Sequence, residues 1–464
     1  MSKLSQFAAA CAAVVCAFGA VAQPLDQCKV TAEAGAGGTV YVDAENGNDE
    51  TGNGLAANPY ATLQKALAVA ADGSTIFLQD GTYLMDDPYT TIARPITIKS
   101  VNGPANCSLT KAATAADSNK RGILHLNHDN VVLDGLTLCN GYVYNNVDPG
   151  SPVVLTKGVV QNCIIRDNQG GSDSYGNHGG VTVNGGTLRD CVIRGNWAAY
   201  NNEGLGVGGG VYLSAGLVEH CVITNNYINK YSPGTGYGKG GGLYVCGSGA
   251  IVRNCTIADN YCIWQYGDDN RDFEGSQVWV SAGLLENCTI GDMKHGNVYA
   301  SGVYQSGGTI RNCLLKGMSS GNAVQALKVA NGSFYNNTVV TNGFGKTVNA
   351  QPVAVEVTGG EVVNCIFAAN AGAVTDASGL VRNSCYPEAD DVRGNLAADP
   401  KLRSPKRDDW RVRSTSPCVN AGDVSVWEGV ENPIDLRGDP RVLNRQVDMG
   451  CYEVPQAGLR LIVR

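Results

Sequence analysis

Aromatic and charged side chains gather in one part of the chain. Trp197, Tyr200, Tyr227, Tyr231, Tyr237, Tyr261, Trp264 and Tyr266 fall in or beside the longest variable segments, and Trp279 follows on the next strand-like run. Rings beside a groove can lie against the faces of sugars, and Trp197, Tyr231, Tyr261, Trp264 and Trp279 are the candidates for that role. The competing reading is that these rings pack the loops onto the surface beneath them. Asp268, Asp269, Asp272 and Glu274 lie close together with Arg271. Ca²⁺ takes roughly six to eight oxygen ligands, so Asp268, Asp269 and Asp272 are candidate ligands. The same cluster also reads as a solvated loop. Cutting a glycosidic bond by hydrolysis needs two carboxylates at a set separation; cutting it by elimination needs a base, and Lys230, Lys239 and Lys294 are candidates that nothing distinguishes.

These residues hang on a repeat. The pattern apolar, variable, Asn-like, Cys, variable, apolar appears as Val160-Gln161-Asn162-Cys163-Ile164-Ile165 and returns around Cys191, Cys221, Cys255, Cys288 and Cys313. Asn337 fills the Cys position in the next copy, Cys365 ends the clear series, and Asn383-Ser384 is a worn copy. The spacing between the clear copies ranges from 24 to 34 residues, so a fixed core is joined by one connection of variable length. Upstream of most copies lies a second strand signal, as in Gly209-Gly210-Val211-Tyr212-Leu213 and Gly241-Gly242-Leu243-Tyr244-Val245. The runs are short, β-branched and alternating, without a helical period.

Three short strands per repeat, two tight turns and one variable turn describe one coil of a parallel β-helix. Like positions then lie over one another at about 4.8 Å from coil to coil. The Asn before each Cys sits at a sharp bend, where Asn tolerates the left-handed conformation, and the Cys points inward. Cys is a compact, often buried hydrophobe, so the Cys column is first a packing ladder. Cysteines off the column are candidates for disulfides: Cys28 with Cys107, Cys418 with Cys451, and Cys246 with Cys262.

Composition narrows the function. The chain has 464 residues, a formal charge of −8 and 60 glycines, a glycine share well above the usual ~7%. No clustered Lys/Arg stripe is present, which argues against nucleic acid. Lys3, the apolar run Phe7 to Gly19 and the small residues Ala20-Val21-Ala22 form an export signal with cleavage before Gln23. No later stretch is apolar enough to span a membrane as a helix. A secreted or cell-surface monomer is expected.

The ends differ from the middle. Asn58 reads as a helix N-cap with Pro59 at the first helical position, and Leu63, Ala66, Leu67 and Ala70 share one face of a helix that plugs the first coil. After about Tyr386 charge and proline rise, and polar turns alternate with short strands. The division expected is 1–22 signal, 23–125 N-terminal cap and first coils, 126–385 repeats, and 386–464 a capping module.

Tyr41-Val42-Asp43, the Thr62–Ala66 helix and Asp80-Gly81-Thr82-Tyr83 resemble the opening of bacterial secreted proteins of the pectin lyase-like, right-handed parallel β-helix superfamily. Ser416–Asp423, Asp435–Arg441 and Val447–Glu453 resemble its C-terminal "choice-of-anchor" module. The resemblance implies an all-β solenoid with a capping helix and an irregular C-terminal cap. It also implies a polysaccharide or surface glycan as partner, with polysaccharide lyase or glycoside hydrolase as the activity if the chain is an enzyme. The superfamily's catalytic patterns are missing. Neither Trp-Ile-Asp-His nor Arg-x-Pro-x-x-Arg occurs, and Asn177-His178-Gly179 and Asp268-Asp269 are isolated, out-of-order fragments of the polygalacturonase set. His178 therefore reads as a turn residue, and no catalytic residue is assigned. Two readings follow: a protein that binds or degrades acidic extracellular polysaccharide, or a non-catalytic surface or adhesion solenoid.

Overall fold

The computed structural model describes residues 37–85, 89–111, 122–143, 150–171, 178–200, 205–230, 237–264, 273–293, 301–320, 325–344, 353–376 and 379–455. Of residues 200, 264, 319, 320 and 344 it describes the backbone alone. The chain forms a right-handed parallel β-helix. One coil shows how. Val211–Leu213 and Leu217–Glu219 are the two halves of one bent strand. His220 turns the corner, Val222–Thr224 makes the next face, and Asn225 turns again into Tyr227–Lys230. Among the described residues, twenty strands join into one sheet that wraps two faces of the prism, and eleven form the third.

Residue type explains each corner. The bend within the long sheet falls on glycines such as Gly216 and Gly332, both at φ +93°. A Cβ there would lie 2.5 Å from the carbonyl oxygen of the glycine one coil below. The second corner is the expected one: Asn162, Asp190, His220, Asn254, Asn287, Asn312, Asn336, Asn364 and Asn383 all have φ between 46° and 59°. The residue after each points inward. Cys163, Cys191, Cys221, Cys255, Cys288, Cys313 and Cys365 are all at most 2% exposed, and the backbone N–H of one coil donates to the sulfur of the next, as from Cys221 to Cys255 Sγ at 3.4 Å. Val211, Leu213, Val218, Cys221 and Ile223 are the inward residues of one coil. Burial pushes the Cys163 and Cys191 thiols well above their ordinary range.

A third corner carries a ladder of a different kind. Asn168, Asn196, Asn226 and Asn260 are buried, and each Asn side chain from Asn168 onward donates to the Oδ1 of the next, ending on Gln277 Oε1. Beyond this corner the strands Trp197–Tyr200, Tyr227–Lys230 and Tyr261–Trp264 project as a five-stranded sheet with two earlier strands. A three-stranded sheet, Leu205–Val207, Tyr237–Lys239 and Phe273–Glu274, returns beside it. Ala198, Ile228, Cys262 and Phe273 form a core cluster of their own, apart from the prism interior.

The helix at the N-terminal end starts later than expected. It spans Leu63–Val69, and its N-cap is Thr62, whose side chain accepts from Lys65 N. Asn58 instead closes a small turn with Leu55, and Tyr60 pairs with Val42, so the chain is still extended where a helix was expected to begin. Leu63 and Ala66 are the buried face.

The C-terminal tail folds back along the Asn corner. Asn312 Nδ2 donates to the Ile434 carbonyl (2.6 Å), Asn336 Nδ2 to Asp448 (2.8 Å) and Asn364 Nδ2 to Asp423 (2.8 Å). Trp427 Nε1 returns a bond to Asn336 Oδ1 at 2.9 Å. The tail's polar motifs bind one another: Arg441 donates to the carbonyls of Asp448 and Gly450, and Asp435 accepts from the backbone of Arg437, Asp439 and Glu453. No helix among the described residues is long and apolar enough to cross a membrane.

No disulfide joins the described cysteines. Cys107, Cys246, Cys262, Cys418 and Cys451 are free thiols, and Cys28 lies outside the described residues. Cys418 and Cys451 share a cluster with Cys385; the Cys385 thiol donates to the Ala398 carbonyl at 3.1 Å, and the Cys451 backbone is held by Thr338. Cys262 packs in the separate small core. Cys246 follows the strand Leu243–Val245 and its thiol donates back to Leu213 O.

Candidate functional site

Each upstream strand points two residues inward and one outward, so equal positions on successive coils make an outward column. Strand register aligns Thr182, Tyr212, Tyr244, Trp279, Tyr304, Lys328 and Glu356. His178 reaches over Tyr212 from the preceding coil, with ring centroids 3.7 Å apart and an interplanar angle of 11°. The pile continues from Tyr212 to Tyr244 (5.5 Å), from Tyr244 to Trp279 (4.6 Å) and from Trp279 to Tyr304 (6.0 Å), with planes within 9° of parallel. A shorter pile stands on the projecting sheet: Trp197 to Tyr227 (5.6 Å) and Tyr227 to Tyr261 (4.9 Å).

Rings at these distances and so nearly parallel are offset-stacked. Tyr212, Tyr244, Trp279 and Tyr227 each have a stacked ring neighbour on both sides, offset enough to leave part of each ring open. Among the described residues, Trp197 and Tyr261 are the outer members of the shorter pile. Tyr231, Asp268, Asp269 and Asp272 lie outside the described residues, as does the side chain of Trp264. The expected ring set is thus divided between two piles, with Trp279 on the outer face of the prism and Trp197 and Tyr261 on the projection.

Charge collects at one end of the longer pile. Lys239 Nζ stands 4.7 Å from the Trp279 ring centroid, and Lys328 Nζ 5.9 Å from that of Tyr304. Glu274, register neighbour of Lys239, accepts from Trp279 Nε1 at 3.3 Å and from the Tyr304 hydroxyl. Glu356 is bound by Lys328 (3.3 Å) and by Gln325 Nε2 (2.7 Å). Lys239 makes no ion pair with any described residue. Trp279 is only 6% exposed beneath these groups.

Burial pushes the Tyr244 phenol up to about 12, and raises Tyr304 together with the charge of Glu274. These hydroxyls are donors at neutral pH. Burial pushes His178 down to about 3, so its ring is neutral, with Nδ1 2.8 Å from Thr182 Oγ1. The face offers ammonium groups, phenol edges and carboxylates already holding donors. That set suits holding a hydroxylated anionic chain. Of the candidate bases, Lys239 is on this face, Lys230 is buried and engaged, and Lys294 is outside the described residues. No cluster of three metal-ligating side chains occurs among the described residues.

Sequence reasoning did not single out Tyr212, Tyr244, Tyr304 and Lys328 as one column. The signal was present: Tyr212 and Tyr244 each stand two places after a Gly-Gly pair, and Trp279 and Tyr304 take the same place in their repeats.

Residues 241–387 match the family described as right-handed beta helix region. No curated protein matches the chain in sequence. Solved structures that resemble it include the pectate lyase Pel9A, at 15% identity over 90% of this chain and 96% of that one, with a TM-score of 0.42. XylC in complex with xylose aligns at 13% identity over 90% and 98%, with a TM-score of 0.44. A rhamnogalacturonan lyase aligns at 14% identity over 83% and 96%, with a TM-score of 0.40. No function is taken from these likenesses.

Proposed function

We propose that this chain is an exported β-helix that binds an acidic polysaccharide along the ring column without cutting it. One observation carries the reading: Lys239 and Lys328 hold their ammonium groups over adjacent rings of one pile, Trp279 and Tyr304. A polyanion laid along the axis would meet two ammonium groups standing over rings whose centroids are 6.0 Å apart. Among the described residues no carboxylate pairs with Lys239, so none of these has to be displaced first. The carboxylates of the face, Glu274 and Glu356, are occupied as acceptors of Trp279, Tyr304, Lys328 and Gln325, which favours holding over hydrolysis.

The test is retention of the chain from Gln23 on immobilised polygalacturonate and alginate, with xylan as the uncharged control and with or without Ca²⁺. Salt-sensitive retention on the acidic polymers, with neither unsaturated product nor new reducing ends, is expected. Failure to bind any acidic polymer sinks the reading, and product formation sinks the claim that the chain does not cut. A second reading, a surface solenoid that binds no glycan, draws on the mutual stacking of the rings. Equal retention on xylan and on the acidic polymers would favour neither charge nor that alternative, and would reassign the face to neutral glycans.

A further inference from the structure

We propose that the groove between the Asn corner and the tail turn 427–434 binds a short neutral saccharide, at a site separate from the ring column. The column stands on the first half of each bent strand, at Tyr212, and this groove on the second half, at Glu219. Its volume is about 270 Å³, just below the ~300–1,000 Å³ of drug-sized ligand sites, which suits one or two sugar units.

The corner amides mark the place. Asn312, Asn336 and Asn364 each donate to a tail carbonyl, at Ile434, Asp448 and Asp423. Asn254 lies 3.3 Å from His220. Between them Asn287, which lines the groove, has no such partner among the described residues. It is only 8% exposed, and its Oδ1 is buried without a hydrogen bond. Of these five amides it is the one left to a ligand. A ligand oxygen that accepts from the amide nitrogen or donates to its oxygen meets the need, and a hydroxyl does both. The amide turns about a soft torsion, so either end can face the groove.

The floor carries alternating charge. Glu219, Arg253, Glu286 and Arg311 are register partners on successive coils, so their charges cancel. Arg253 and Arg311 each place Nε and Nη2 on Oε2 of Glu219 and Glu286, at 2.7–2.9 Å. The other oxygen of each carboxylate has no partner among the described residues and can accept from a hydroxyl. A polyanion would find both arginines already paired.

The wall is apolar and pinned. Ile434 is 40% exposed and lines the groove with Val430 and Pro433. Trp427 is tied to Asn336 Oδ1 at 2.9 Å, and the Arg311 guanidinium stands 5.2 Å from its ring centroid. The Arg441 N–H donates to the Pro433 carbonyl at 2.8 Å and fixes the turn. A polar floor facing an apolar wall matches a sugar ring, which has hydroxyls on its rim and C–H bonds on its faces.

Saturation-transfer NMR on the chain from Gln23 measures binding of mannose, galactose, glucose and cellobiose, with galacturonate as the charged comparison. At least one neutral sugar should bind, with little change on raising salt. Asn287→Gly removes the amide and keeps the left-handed corner, which glycine adopts freely. Ile434→Ala trims the wall and leaves the carbonyl that holds Asn312. Each should weaken that binding about fivefold, the worth of one hydrogen bond or of a partly buried side chain. Excess polygalacturonate should not displace the sugar. Transfer to none of the four sugars, unchanged affinity in a folded Asn287→Gly or Ile434→Ala chain, or tighter binding of galacturonate overturns the proposal. Displacement by polygalacturonate places the sugar on the ring column and overturns it too.

Discussion

Asn226 Oδ1 accepts two bonds from Asn196, one from its backbone N–H at 3.1 Å and one from its side-chain Nδ2 at 2.9 Å, and Asn226 Nδ2 donates in turn to the Ile193 carbonyl at 2.9 Å. Each such amide satisfies groups on two coils without charge. Buried polar groups left unmet cost about 1–3 kcal/mol each, and ladder members reinforce one another. Asn226→Ala leaves the Asn196 N–H and the Ile193 carbonyl without these partners. It should destabilise the chain by roughly 3 kcal/mol, read as a lower denaturant midpoint. Asn254→Ala, at the more open corner beside His220, should cost about 1 kcal/mol.

The two Asn columns differ in how plainly they could be read. Asn before Cys repeats within a compact motif, so the left-handed corner and the inward sulfur followed from pattern and sterics. Asn226 stands in Thr-Asn-Asn-Tyr, which resembles an ordinary polar turn, and only the coil register shows that it lies above Asn196. The alternation of Val211, Tyr212 and Leu213 showed that Tyr212 faces out, but the tilt that lays one ring on the next depends on neighbouring coils. Asn58-Pro59 carries a sound local helix signal that lost to the pairing of Tyr60 with Val42. Cys385, Cys418 and Cys451 belong to segments that share a core only after the tail folds back, so no spacing rule could group them.

The Cys position serves as an acceptor as well as a filler. Where Cys is absent, Asn337 Oδ1 takes the N–H of Cys313 at 2.8 Å and Ser384 Oγ that of Cys365 at 2.9 Å. Cys255→Ser should therefore stay within about 1 kcal/mol of the parent. Cys255→Ala leaves the Cys221 N–H unmet and should cost about 2 kcal/mol. Denaturant titrations of both variants, with and without a chelator, check this; a chelator effect on the parent would point to a metal on the column instead.

Stability should fall between pH 6.5 and 8. Burial raises the carboxyl of Glu453 to about 8; Arg441, 3.6 Å away, opposes the rise, and Asp448 adds to it. Asp435, on the backbone of Glu453, adds a further negative charge. The native state keeps a proton there that the unfolded chain releases from about pH 4.5 upward, so this contribution is complete below that pH and is lost as pH climbs through about 8. His178, held near 3 by burial, acts the other way: the unfolded chain takes up its proton below about 6.5, and stability is lost as pH falls from there toward 3. The two windows overlap only below pH 6.5. Melting temperatures across pH 6.5–8 should decline for the parent and flatten in Glu453→Gln.

Glycan binding should depend on Lys239 more than on its neighbours. The ammonium of half-buried Lys239 makes a cation–π contact with Trp279 without a carboxylate partner among the described residues, whereas Lys328 already serves Glu356. Losing one such charge is worth about 1 kcal/mol, which is roughly a fivefold weaker Kd. Lys239→Ala should show that loss on polygalacturonate, and Lys328→Ala a smaller one. Lys157→Ala, whose lysine pairs with Asp129 outside the ring column at 3.3 Å, should show none. Raising ionic strength shortens the screening length and should shrink the gap between parent and Lys239→Ala. Titrations of the three variants at two salt concentrations make the comparison, and an equal loss for Lys157→Ala would mean that overall charge, not the ring column, attracts the polymer.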